Sequence, residues 1–168
     1  HSSFKDKVSM SNLCQEITLP TTPIQDIHDD QGEIALCILS AVNVGGLNDL
    51  SELENICDLS VRALEQIIDY QDYPVRAAEV STKKRRSLGI GYIGLAHYLA
   101  KNGVKYSDPK AWDLVDRLTE AFQYNLLRAS CNIAMEKGKC EGFERTKYAD
   151  GQLPIDHYKK EIDEIVPH

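Results

Sequence analysis

The stretch EIALCILSAVN, residues 33–43, is the part of the chain on which the fold turns. It is a short and almost unbroken apolar run, stopped by Gly45-Gly46, and that profile predicts a strand buried on both faces. Downstream, Ser51 and Glu54 stand at capping-box spacing. Leu53, Ile56, Ser60, Ala63, Leu64, Ile67 and Ile68 then recur at helical spacing to about Tyr70. Upstream, residues 1–31 carry Pro20, Pro23 and a polar cluster from Gln25 to Gly32, and read as extended or loop. Residues 73–86, with Pro74 near their start and the basic run Lys83-Lys84-Arg85-Arg86 at their end, read as a loop.

Three more helices are expected. The first covers Ile93 to Lys101 and ends at Asn102-Gly103, a left-handed cap signal. The next is the longest, capped by Asp108 with Pro109 at the first helical position. Its stripe is Trp112, Val115, Leu118, Phe122, Leu126, Ala129 and Ile133, and Gly138 closes it. The last runs from about Ile155 to Ile165. The only strand candidates are near 12–19 and 33–43. The chain is thus mostly helical, with too little sheet for a closed α/β domain, and missing sequence is expected to supply the rest. His1 in place of Met carries the same expectation, that this is a piece of something longer.

Composition narrows the function classes. The chain has 168 residues, 42% of them hydrophobic and 27% charged, which excludes wholesale disorder. Nineteen Lys and Arg against 26 Asp and Glu leave a net charge of −7, which argues against a general nucleic-acid binder. No apolar run approaches the length of a membrane span and the N-terminus lacks a signal-peptide pattern, so a cytoplasmic protein is expected. Cysteines at 14, 37, 57, 131 and 140 are odd in number and irregular in spacing, and the five histidines are scattered. Neither a disulfide framework nor a metal site is suggested. Cys57 and Cys131 read as packing residues and Cys140 as partly exposed.

Two motifs bear on chemistry. Gly89-Ile90-Gly91-Tyr92-Ile93-Gly94 matches GxGxxG, but a dinucleotide site needs a hydrophobic strand delivering that turn, and residues 83–87 are polar. The glycines are expected in a turn and the first part of a helix packed on the core. The second motif is Ser11-Asn12-Leu13-Cys14-Gln15-Glu16-Ile17. If extended, it points Asn12, Cys14 and Glu16 to one side. An amide, a thiol and a carboxylate in a row can orient a substrate, carry redox or radical chemistry and accept a proton. Spacing alone leaves open an ordinary loop with an ordinary cysteine. It also leaves Cys37 open, because a cysteine inside a buried strand commonly serves as a small hydrophobe.

The blocks SNLCQEITLPT, GEIALCILSAVN, DYQDYPVRAA, RRSLGIGYIGLAHYLAKNGVKYSD and LPIDHYKK, in that order, resemble the central part of class I ribonucleotide reductase large subunits. The resemblance is strongest to bacterial and phage types and covers the chain from about Ser9. It implies a segment of a ten-stranded α/β barrel with a finger loop at about residues 8–19, the whole chain 1–168 being one partial domain. By resemblance, Cys14 is the thiyl radical that abstracts the 3′ hydrogen of a ribonucleoside diphosphate. Glu16 takes the 3′-hydroxyl proton, Asn12 hydrogen-bonds the sugar, and Cys37 is one of two cysteines that reduce the substrate as the 2′-hydroxyl leaves as water. All four are expected around one cavity.

The resemblance also implies what the chain works with. A small metal-containing subunit supplies the radical, thioredoxin or glutaredoxin the electrons, and the remaining large-subunit segments the second reducing cysteine, the phosphate loop and the sites for dNTP and ATP effectors. No cofactor, metal, nucleic acid or membrane is expected on this chain. Two rival readings are a non-catalytic helical interaction module and a dinucleotide-dependent oxidoreductase.

Overall fold

In the computed structural model, which describes residues 4–11, 15 and 18–156, the elements run β1 (Ile38–Asn43), α1 (Leu53–Tyr70), α2 (Arg76–Arg85), β2 (Leu88–Ile93), α3 (Leu95–Lys101) and α4 (Pro109–Lys137). Single 3-10 turns lie at Val44–Gly46, Leu50–Glu52, Phe143–Arg145 and Lys147–Asp150. The backbone divides into two compact units. One comprises His1–Leu36, Asp72–Arg86 and Cys140–His168; the other comprises Cys37–Gln71 and Ser87–Lys139.

The second unit is a βαβ arrangement. β1 and β2 pair in parallel, Ile38 opposite Leu88 through Asn43 opposite Ile93. Along β1, Val42 is buried while Leu39, Ala41 and Asn43 are exposed. The strand is therefore shorter than 33–43 and, among the described residues, covered on one face only. Helices supply that cover: Val42, Ile90 and Tyr92 pack with Leu53, Cys57, Leu118 and Phe122 in one core, and the Tyr92 and Phe122 rings meet edge to face at 5.6 Å.

β2 corrects the expected turn at residues 89–94. Leu88, Ile90 and Tyr92 alternate onto the helix side, so the segment has strand periodicity, with Gly89 and Gly91 on the other face. Only Gly94, at φ +81°, turns the chain into α3. α3 ends as expected at Asn102, followed by Gly103 at φ +68°.

α1 matches its expected span, but its cap differs. The Asp49 carboxylate accepts from the Ser51 amide and Glu52 Oε1 accepts from the Asn48 amide at 3.2 Å, so the side-chain caps serve the 3-10 turn Leu50–Glu52 that leads into α1, and Ser51 does not cap the helix. Leu53, Cys57, Val61, Leu64 and Ile68 form the buried face, while Ile67 is 41% exposed. On α4 the buried residues are Ala111, Leu118, Phe122, Ala129 and Ile133. Trp112 is 74% exposed and lies outside that stripe. Asp108 precedes Pro109 but spends its carboxylate on the Lys105 amide, at 2.8 Å. Fully burying side chains such as Leu53 and Leu118 stabilises the shared core of α1 and α4 by about 1.5–3 kcal/mol each.

In the first unit, α2 replaces the loop expected at residues 73–86. Its buried face is Ala77, Ala78, Ser81, Thr82 and Arg85, a helical repeat of small and polar residues. Glu79 in the first turn and Lys83, Lys84 and Arg85 in the last oppose the helix dipole favourably. Arg86, at φ +49°, closes the helix with its N–H on the Thr82 carbonyl. Short bridges complete the unit: Phe4 pairs with Thr146 and Thr22 with Glu33, both antiparallel. The Gly142 amide donates to the Lys84 carbonyl at 2.8 Å. The last helix, expected from about Ile155 to Ile165, falls almost wholly on residues 157–168 and so lies outside the described residues.

Candidate active site

Cys37 stands one residue before β1, and its thiol lies on the face of the sheet opposite the one that, among the described residues of this unit, α1 and α4 cover. A Cβ built at Gly89 would come within 3.0 Å of Cys37 Sγ and 2.6 Å of Leu39 Cδ2, so the thiol and the Leu39 side chain share that face and fill the space Gly89 leaves. Ala41, Gly89 and Gly91 make the middle of the face flat, and a Cβ at Gly91 would meet nothing within 4 Å. Leu39 and Ile93, 57% and 56% exposed, rise beside it. Asn43, at the far end of β1, accepts from the Gly45 amide at 3.2 Å and sits tight against Gly94. The result is a shallow floor of small residues with a half-buried thiol at one end.

Asn12, Cys14 and Glu16 lie outside the described residues. Between them Gln15 is exposed with φ +63°, in the left-handed region. The unbroken extended backbone on which the alternation of residues 12, 14 and 16 depends therefore does not pass through Gln15. Their assignment stands on the resemblance alone.

The other thiols separate by environment. Burial pushes the Cys57 thiol up to about 11, so at neutral pH it is a protonated packing group. Cys131 is exposed on α4 and is no packing residue. Cys140 is half-buried, as expected. The GxGxxG pattern lacks dinucleotide geometry, because Gly89 and Gly91 lie inside β2 rather than in a turn after it. Two features escaped the sequence. One is Gly89 as the neighbour of Cys37, for which the period of two through Leu88, Ile90 and Tyr92 was the available signal. The other is a buried ion pair between Glu33 and Arg85, for which no local signal exists.

Residues 1–166 match the family model for the ribonucleotide reductase barrel domain. This chain belongs to that family. It is 58% identical over 168 residues to the ribonucleoside-diphosphate reductase subunit alpha of Haemophilus influenzae, and 55% identical to that of Buchnera aphidicola from Schizaphis graminum. Each alignment covers 98% of this chain. The subunit alpha of Enterobacteria phage T4 is 42% identical over 163 residues, or 96% of the chain. The chain spans about a fifth of these relatives, 22% of the bacterial proteins and 21% of the phage one. Its parallel β1–β2 pair and packed helices are consistent with a segment of the family's α/β barrel. Among the described residues no helix is long and apolar enough to cross a membrane.

Proposed function

We propose that this chain provides the central segment of the catalytic barrel of a ribonucleoside-diphosphate reductase, its two units forming parts of one larger domain with a finger loop at about residues 8–19. The match of residues 1–166 to the barrel-domain family carries this reading, because it spans both the SNLCQEI block and the strand that follows Cys37. The position of Cys37 on an uncovered, small-residue face supports it, since a reductant must reach a substrate rather than pack in a core.

The proposed chemistry runs as follows. A Cys14 thiyl radical takes the 3′ hydrogen of a ribonucleoside diphosphate, while Asn12 holds the sugar and Glu16 accepts the 3′-hydroxyl proton. The 2′-hydroxyl departs as water, and Cys37 and a second cysteine from elsewhere in the subunit give up two electrons and two protons to form a disulfide. Cys14 returns the hydrogen to C3′ and regains its radical. The radical originates in a small metal-containing subunit. Thioredoxin or glutaredoxin reopens the disulfide, and dNTP and ATP effectors bind other segments of the large subunit.

The experiment is multiple turnover of a ribonucleoside diphosphate by the assembled reductase with its small subunit and thioredoxin system. Cys14→Ser is expected to abolish turnover at the first hydrogen abstraction, because the serine O–H bond is too strong to yield a useful radical. Cys37→Ser is expected to permit abstraction but block product. Glu16→Gln is expected to lose about 10²–10⁴ in rate, the range for a missing general base. This chain alone is expected to be inactive. Normal turnover by Cys14→Ser refutes the radical role.

A further inference from the structure

We infer that Arg85 is a positioning residue for the radical chemistry: with Glu33 and Asp6 it clamps together the two chain segments that flank the loop bearing Asn12, Cys14 and Glu16. This rests on the function proposed above and adds to it a residue on a helix that carries none of the reacting groups.

Asp6 precedes that loop and Glu33 follows it, and Arg85 on α2 joins them. Arg85 Nη2 donates to Glu33 Oε2 at 2.5 Å, and Arg85 Nη1 contacts Asp6 Oδ2 at 3.4 Å. The Arg85 and Glu33 side chains are only 3% and 6% exposed. The guanidinium also lies over the Phe4 ring, 5.0 Å from its centre. Each end has a second tether. Arg145 grips Asp6 Oδ1 through Nε at 3.0 Å and through Nη2, and the Lys5 amide donates to the Arg145 carbonyl at 2.9 Å. Thr22 and Glu33 exchange backbone hydrogen bonds of 3.0 Å in both directions, and Lys84 Nζ donates to Glu33 Oε1 at 2.8 Å.

Burial opposes ionisation of Glu33 and Asp6. The bonds and charges of Arg85 and Lys84 on Glu33, and of Arg145 and Arg85 on Asp6, outweigh it and hold both carboxyls below the usual range. Both carboxyls are therefore ionised at neutral pH. A buried ion pair is a poor source of stability, because apolar residues of similar volume serve about as well. What a rigid five-donor fork adds is direction: it fixes two carboxylates relative to each other, which a lysine cannot do. Here those carboxylates belong to the segments before and after residues 12–16, so the fork fixes those two segments relative to each other. A displacement of about 1 Å between reacting groups can cost about 100-fold in rate.

The test uses the assembled reductase containing this chain. Arg85→Lys keeps the charge but not the fork. The double variant Arg85→Met/Glu33→Leu replaces the pair with apolar volume and guards against simple unfolding. Both are expected to lower kcat by about 10- to 100-fold with KM for the diphosphate within twofold. Hydrogen exchange, read by mass spectrometry, is expected to quicken at least about tenfold in peptides covering 5–22 and to stay unchanged in α1. Unchanged kcat in the folded double variant overturns the proposal, even if exchange quickens. So does a loss expressed in KM alone, or exchange that rises equally in α1. Cys14→Ser, run alongside, separates the two claims: its retention of activity refutes the radical assignment, whereas its inactivity beside a fully active double variant refutes only the clamp.

Discussion

Gly89→Ala places one methyl group where Cys37 and Leu39 meet, and its consequences can be worked from the geometry. The added Cβ would stand 2.6 Å from Leu39 Cδ2 and 3.0 Å from Cys37 Sγ. Leu39 is 57% exposed and its Cδ2 is the end of a flexible side chain, so it can swing toward solvent at little expense. Cys37 Sγ must retreat by about half an ångström to reach ordinary contact distance. Overpacking typically costs about 1–3 kcal/mol, and Ala in place of Gly returns about 0.5–1 kcal/mol inside a strand, so the net stability change should stay within about 1–2 kcal/mol. If Cys37 is a reductant, half an ångström corresponds to about a tenfold loss of turnover, scaling from about 100-fold per ångström. Gly91→Ala is the matched control, because nothing lies within 4 Å of its Cβ. The assay is steady-state product formation by the assembled reductase, with thermal melting of each variant. Equal turnover by the Gly89→Ala and Gly91→Ala enzymes would refute the placement of Cys37 at a working face.

Three further outcomes are expected. Gly94→Ala should destabilise by roughly 2–4 kcal/mol in chemical denaturation, since φ +81° strains any L residue and the Gly45 backbone nitrogen lies 3.1 Å from the new Cβ. Gly103→Ala, equally left-handed at φ +68° but in open space, should lose only about 1–2 kcal/mol. The lowered folded-state pKa values of Glu33 and Asp6 contribute stability that is complete above their unfolded values of about 4 and disappears as pH falls through the folded ones. Circular dichroism should therefore show Glu33→Gln losing less stability than the parent chain between about pH 4 and pH 2. Iodoacetamide at pH 8, followed by peptide mass spectrometry, should modify exposed Cys131 well before Cys57, whose thiol is held up at about 11; equal rates would contradict that burial.

The legible parts of this fold are those where burial is carried by large apolar side chains. α1 and α4 fall close to their expected bounds because Leu64, Ile68, Leu118, Phe122 and Ile133 recur at helical spacing. α2 was illegible because its inner face is Ala, Ser and Thr with an ion-paired arginine, which no hydrophobic period reveals. β2 was hidden by its glycines: GxGxxG draws attention to a turn, although Leu88, Ile90 and Tyr92 already alternate. Trp112 misled in the opposite way, as a large aromatic near the inner stripe that nevertheless stands in solvent. Of the proposed reacting residues, Cys37 was expected inside the strand at 33–43 but stands one residue before β1, and which face it occupies depended on a partner strand the sequence concealed. The ties of Arg85 to Asp6 and Glu33 span 79 and 52 residues, and separations of that kind leave no local trace.

The two-residue repeat of β1 has a consequence for how this segment can change length. Val42 points to the helices and Cys37 to the bare side, so the two are bound to opposite parities along the chain. Inserting or deleting one residue between them would bring both to the same face, either burying the thiol or exposing the valine. A change of two residues would preserve both faces and shift only the reach of Cys37 along the strand. Length variation between residues 37 and 42 should therefore be tolerated only in even steps, much as a reading frame tolerates insertions only in threes.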